Sequence, residues 1–215
     1  LSLFLSLLYI MSASRSTKAM KKVKKHDAKI VQTLQKVGIV HASKIAQSLQ
    51  GSIWRACLKP IDDISSRQVA QNVVIKVADR YLQQHSLANI NGKAIKVEED
   101  IVSEATLLRS LNQRADCPSS IVAFYEFFKS KTDYYLVMED GGSSLFDFVV
   151  RAFAFLRAGQ IEVSHWKQVV KMIFNQMLEC IAYIHRHNIA HLDISIENFL
   201  INDVMVKMSK GDKIE

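Results

Sequence analysis

The chain has 215 residues, 49% of them apolar, two prolines and a formal charge of +7, so it can bury a real core and wholesale disorder is excluded. Its length accommodates one large domain or two small ones. The three cysteines, Cys57, Cys117 and Cys180, are odd in number, far apart and without metal-ligand spacing; this argues against a disulfide framework or a cysteine zinc site and reads as reduced thiols.

The first eleven residues, LSLFLSLLYIM, are apolar but too few for a membrane-spanning helix, which needs about twenty. Positive charge follows this run instead of preceding it, the reverse of a secretory signal. With Leu at position 1, the expectation is a fragment or a mis-set start of translation, not a working targeting signal. Part of the basic excess lies in SRSTKAMKKVKK, which reads as a solvated face or tail. No aromatic residue interleaves with its lysines, so there is no strong case for nucleic acid. Residues 1–34 are expected to form an apolar and then basic leader, poorly ordered or helical.

KVGIVHASKI, GSIWRACLKP and QNVVIKVADR follow, short runs rich in Val, Ile and Trp between polar turns, as in antiparallel strands. Residues 82–98, LQQHSLANINGKAIKVE, contain Asn-Gly and read as an inserted loop. EEDIVSEATLLRSLN places Ile101, Leu107, Leu108 and Leu111 on one helical face, and IVAFYEFFKSKTDYYLVMED reads as two strands around a turn. After GGSS the pattern is helical. The longest candidate is HWKQVVKMIFNQMLECIAYIHRHN, with Val170, Ile173, Met177, Ile181 and Ile184 on one stripe. Strands first and helices later predict an α+β fold.

Residues 191–201 read HLDISIENFLI. Phosphoryl transfer needs a carboxylate to orient an acceptor hydroxyl and an oxygen ligand for Mg²⁺. An Asp and an Asn separated by four residues in a tight loop can supply both. The segment resembles the catalytic loop of the eukaryotic protein kinases, His-Arg-Asp-(four residues)-Asn, with His191, Asp193 and Asn198 at the matching positions. VVIK, residues 73–76, resembles the family's third strand, and Lys76 would contact the α- and β-phosphates of ATP. SEATLLRSL offers Glu104 as that lysine's helical partner. AQSLQGSIWRA aligns with the glycine-rich loop: Gly51 holds the third glycine and Ile53 the following valine, while Ala46 and Ser48 replace the first two glycines. YYLVMEDGGSSLFDF resembles the fifth strand and hinge. Met138 would be the gatekeeper, Glu139 and Gly141 would present backbone groups to adenine, and Ile53, Val74 and Leu200 would sandwich the ring.

These matches occur in the family's order, and together they cover residues 35–215. The resemblance implies a five-stranded antiparallel N-lobe with one helix, about 35–140, and the first helices and catalytic loop of a mainly helical C-lobe, about 141–215. It implies ATP and Mg²⁺, with Asn198 a metal ligand, Asp193 the base, and Asp193, Asn198, Lys76 and Glu104 the catalytic set. A protein substrate and a cytoplasmic location are expected.

Three departures qualify the resemblance. Leu192 replaces the loop's arginine, so control through a phosphorylated activation segment is not implied. Ser195 stands where Ser/Thr-directed members carry a lysine. No Asp-Phe-Gly occurs before the chain ends at GDKIE. The expectation is a Ser/Thr-directed protein kinase truncated before that motif, this chain itself having little or no activity. A catalytically impaired binding module is the alternative, and a small-molecule kinase of the aminoglycoside or choline type is a more distant one.

Overall fold

A computed structural model describes residues 2–3, 17–59, 71–90, 93–96 and 100–201. The chain divides into two compact units, one of residues 8–110 and 123–140, the other of residues 1–7, 111–122 and 141–215.

The first unit is built on a five-stranded antiparallel sheet. Its strands are β2 (Ile39–Gln47), β3 (Gly51–Leu58), β4 (Gln71–Asp79), β7 (Phe124–Lys129) and β8 (Asp133–Glu139), in the order β2-β3-β4-β8-β7. Central strand β4 is buried on both faces from Val73 to Ala78, which suits its run of Val and Ile. Side chains alternate along it. Val73, Ile75 and Val77 join Trp54, Ala56, Tyr135 and Val137 in one cluster, and Val74 and Lys76 therefore point to the other face.

Helix α1 (Thr17–Lys36) closes that cluster with Ile30 and Leu34, 1% and 0% exposed. Two residues four apart share a helix face, and each burial stabilises by about 2 kcal/mol. His26 adds a polar tie, its Nε2 3.0 Å from Asp133 Oδ1 at the start of β8. Gly38, at φ +80°, ends the helix in the left-handed conformation that glycine adopts without strain. The segment expected to be leader up to residue 34 is thus a helix to Lys36 from Thr17 on, and residues 4–16 lie outside the described part.

The segment expected as an inserted loop carries regular structure. Asp79 caps the short helix α2 (Arg80–Gln84), its Oδ1 accepting from the N–H of Tyr81 at 2.8 Å and of Leu82 at 3.1 Å. A hairpin follows, β5 (Leu87–Ile90) against β6 (Lys93–Lys96). The Asn-Gly pair itself lies outside the described residues. Helix α3 (Ile101–Asn112) buries Ile101, Ala105, Leu108 and Leu111; the division between the units falls in its last turn.

In the second unit, Ser144 caps helix α4 (Leu145–Arg157), its Oγ accepting from Asp147 N–H at 3.1 Å. Helix α5 (Val163–Arg186) is the longest element. Its buried stripe holds Ile173, Cys180, Tyr183 and Ile184. Val170, expected on it, is exposed, because a 3.6-residue period admits adjacent stripes and the packing partner selects one. Strand β10 (Phe199–Ile201) lies between β9 (Ser143–Ser144) and β1 (Ser2–Leu3) in a small antiparallel sheet. Among the described residues no helix is long and apolar enough to cross a membrane.

Candidate functional site

In the first unit, the face of the sheet opposite α1 gathers the predicted residues. Ile53 pairs with Lys76 and Val74 with Met138 across neighbouring strands, and directly opposed residues share a face. Ile53, Val74 and Met138 are buried, so an apolar surface surrounds the lysine. Lys76 Nζ lies 2.8 Å from Glu104 Oε2, the two side chains being 2% and 11% exposed. A desolvated ammonium is costly unless paired. Here α3 supplies the partner from its first turn.

The position of that turn is set locally. Asp100 caps α3, its Oδ1 accepting from Val102 N–H at 2.9 Å and its Oδ2 from the Ser103 hydroxyl at 2.6 Å. Burial pushes the Asp100 carboxyl up, but the bonds from the Ser103 hydroxyl and the Val102 and Ser103 amides outweigh it and hold the group below its ordinary value.

The turn between β2 and β3 corresponds to the degraded glycine loop. It is tight, with Ser48 N–H bonded to Gly51 O at 3.1 Å, and Ser48, Gln50 and Ser52 are buried. Gly51 is dictated by the sheet: an added Cβ would lie 1.9 Å from the Val77 carbonyl oxygen. A cavity of about 480 Å³ lies against α1, lined by Val23, His26, Lys44, Val77 and Asp133 among others. Among the predicted site residues Gly51 alone reaches it; Ile53, Val74, Lys76 and Met138 are on the other face.

At the end of β8, Glu139 N–H donates to Ala123 O at 2.9 Å, and Glu139 Oε2 accepts from Ala123 N–H at 3.0 Å. The next residue, Asp140, takes both arms of Arg55, at 2.6 Å from Nε and 3.2 Å from Nη2. This bidentate pair joins residues 85 apart in sequence and is not among the sequence expectations. Alternation along β3 from Ile53 to Arg55 was the only signal that could have suggested it.

In the second unit, Asp193 and Asn198 meet. Asn198, buried, donates from Nδ2 to Asp193 Oδ2 at 2.7 Å and to the Asp193 carbonyl at 2.9 Å. This spends the amide nitrogen and leaves the amide oxygen as a hard donor beside a carboxylate, a combination that fits Mg²⁺. Asp193 N–H is 3.3 Å from His191 Nδ1, and Phe146 N–H at the start of α4 holds the loop through Ile196 O at 3.1 Å. Leu192, between His191 and Asp193, is 93% exposed at φ +64°, a strained conformation for a branched side chain. Gly141 packs on Leu200, where a Cβ would meet Leu200 Cδ1 at 2.7 Å. Two residues predicted for the same site thus touch.

Each unit therefore assembles its own share of the predicted residues: Ile53, Val74, Lys76, Glu104 and Met138 in one, Asp193, Asn198, Gly141 and Leu200 in the other. Comparison with known proteins gives the family. The family described as Protein kinase domain matches residues 64–210. The chain is 30% identical over 128 residues to the carbon catabolite-derepressing protein kinase of Candida tropicalis, covering 60% of this chain and 17% of that protein. It is 29% identical over 124 residues to the Saccharomyces cerevisiae protein of the same name, covering 56% and 17%. It is 27% identical over 177 residues to the dual specificity protein kinase TTK of Mus musculus, covering 81% and 19%. The chain thus spans less than a fifth of the length of these relatives.

Proposed function

The chain belongs to the protein kinase domain family, and we propose that it binds Mg·ATP and moves the γ-phosphoryl group to a protein hydroxyl, that of serine or threonine. The observation that carries this reading is the Lys76–Glu104 pair, 28 residues apart in sequence, 2.8 Å apart in space and withdrawn from water. A buried ammonium with a single-sided apolar surround is an arrangement suited to phosphate.

Lys76 would hold the α- and β-phosphates, with Glu104 fixing its ammonium in place. Ile53, Val74 and Met138 would offer the apolar surface for adenine, Glu139 and Gly141 backbone groups for its edge, and Leu200 a further apolar contact. Asp193 would accept the proton of the acceptor hydroxyl as its oxygen bonds to the γ-phosphorus and the bond to the β-phosphate oxygen breaks. The Asn198 amide N–H would keep that carboxylate oriented, and its amide oxygen would be a ligand for Mg²⁺, which when bound neutralises phosphate charge. ATP as co-substrate supports an intracellular location.

A second reading, a catalytically impaired kinase-like binding module, is favoured by one observation. Ser48 and Gln50 in the β2–β3 turn are buried, and Gln50 is bonded to Leu87 O at 2.8 Å instead of being open for phosphate. Thermal unfolding with and without Mg·ATP, together with transfer of labelled γ-phosphate to casein and phosphoamino-acid analysis, separates the two. Stabilisation with transfer abolished by Asp193→Ala supports the kinase, and absence of stabilisation by Mg·ATP supports the module. Absence of both defeats the nucleotide reading, and label on tyrosine would revise the acceptor.

A further inference from the structure

The Lys76–Glu104 pair sits in a closed circuit of contacts that involves two glutamines with no part in the expected chemistry. Gln50, at the tip of the β2–β3 turn, is 2% exposed. Its Nε2 donates to Leu87 O at the start of β5 at 2.8 Å, and its Oε1 accepts from Gln83 Nε2 on α2. Gln83 Oε1 in turn accepts from Ile101 N–H, the first residue of α3, at 3.0 Å. One turn further along α3 is Glu104, which meets Lys76. Three residues beyond Lys76 on β4, Asp79 N–H donates to Gln50 O at 2.9 Å and closes the circuit.

Each amide in this chain spends its oxygen and its nitrogen on a different element. Buried polar groups left unpaired are costly, so neither glutamine can release one partner without disturbing the other. We infer that Gln50 and Gln83 are positioning residues: they lock the β2–β3 turn and the start of α3 to each other, and so preset Glu104 against Lys76. The role in phosphoryl transfer rests on the kinase reading; the mechanical coupling does not. Coupling also accounts for Ala46 and Ser48 in place of glycines, because a turn pinned by Gln50 has no need of backbone freedom.

The test perturbs one end of the relay and reads the other. Gln50→Leu removes both side-chain bonds of Gln50, which has no bond to α3. Residue-resolved hydrogen exchange on the 215-residue chain should show the Ile101 amide exchanging about tenfold faster, the effect of one lost hydrogen bond. Labelling of the Lys76 amine by acetic anhydride should rise with it. Gln83→Glu keeps the oxygen that accepts from Ile101 N–H but loses the donor to Gln50. If Gln83 serves only to cap α3, this variant behaves as wild type; if the relay couples the elements, Asp79 exchanges faster and Lys76 labelling rises as in Gln50→Leu. The proposal is overturned if the turn loosens in either variant while Lys76 labelling stays at the wild-type level. Should Gln50→Leu not fold, wild-type exchange in rising urea decides: Asp79 and Ile101 opening together supports the relay, and separate opening overturns it. In kinetics the relay predicts a lower kcat with a smaller change in the KM for Mg·ATP, reversed in the Gln50→Asn, Gln83→Glu pair only if a direct bond re-forms. A wild-type chain that Mg·ATP does not stabilise counts against the kinase reading alone, since the exchange experiment needs no nucleotide.

Discussion

Glu104 Oε2 accepts from Lys76 Nζ at 2.8 Å on a side of the sheet where the lysine side chain is 2% exposed. The two partners are not equally dependent on each other. Glu104→Ala takes a carboxylate partner from a buried ammonium and should cost about 3 kcal/mol. Lys76→Met keeps the volume, leaves the more accessible carboxylate to find water, and should cost about 1 kcal/mol. Both should abolish stabilisation by Mg·ATP. Urea unfolding of the two variants, with and without nucleotide, measures this, and equal destabilisation would contradict the asymmetry.

Asn198 secures Asp193 through two bonds from one amide nitrogen, at 2.7 and 2.9 Å. Asn198→Ala should lower stability by about 1–3 kcal/mol, since the loop loses both. Asp193→Ala leaves the bond to the backbone carbonyl and should destabilise less. Single-turnover phosphoryl transfer should drop about 100-fold or more in Asp193→Ala, the scale of a lost general base. A variant as fast as wild type would remove Asp193 from the chemistry.

Two glycines predicted for nucleotide contact should respond differently to a methyl group. In Gly51→Ala the Cβ meets the Val77 carbonyl oxygen at 1.9 Å, and a backbone atom in a paired strand cannot move aside. The cost should be about 3 kcal/mol, at the upper end of overpacking. In Gly141→Ala the obstacle is the Leu200 side chain, 2.7 Å away at Cδ1, which can change rotamer at about 1 kcal/mol. Melting temperatures should fall in that order, and the reverse order would show that β3 and β4 are not paired as described.

The α3 cap gives a pH dependence. Asp100 is held below its ordinary 3.8, so the unfolded chain binds its proton first. Its contribution to stability is present above pH 3.8 and is lost as pH falls through the lower folded value. Exchange at Val102 and Glu104 should rise in that acid range. Asp100→Asn, still able to cap, should make it insensitive to pH there; an unchanged acid response in the variant would assign it elsewhere.

Tyr183 sets the opposite edge of the pH range. Burial pushes its phenol up to about 12, with its hydroxyl bonded to Leu111 O at 3.3 Å. A phenol raised above its unfolded value of 10 stabilises fully below pH 10 and loses that contribution as pH climbs toward 12. Burial also raises the phenols of Tyr125 and Tyr135, so absorbance of phenolate should show several tyrosines ionising late, and Tyr183→Phe should remove one of those late steps.

The kinase-type residues were legible because each occupies a fixed place along its own element: Lys76 within an apolar strand, Glu104 in the first turn of a helix, Asp193 and Asn198 five positions apart in a loop. Local spacing and order carry that information. The stripe on α5 was less legible, since Val170 and Cys180 lie on adjacent faces of the same period and only packing chooses between them. Residues 82–98 read as a loop because their short apolar runs are too brief for periodicity to speak.

By itself the sequence determined the α+β order of elements, the places of the lysine, carboxylates and amide along them, and the departures at Leu192 and Ser195. Tertiary structure alone decided the pairings that cross elements: Ile30 and Leu34 sealing one face of the sheet, Arg55 gripping Asp140, Gln50 reaching Gln83. Such contacts depend on strand register and helix rotation. A shift of one residue in a strand turns every side chain to the other face, and local sequence leaves that shift undetermined until the core packs.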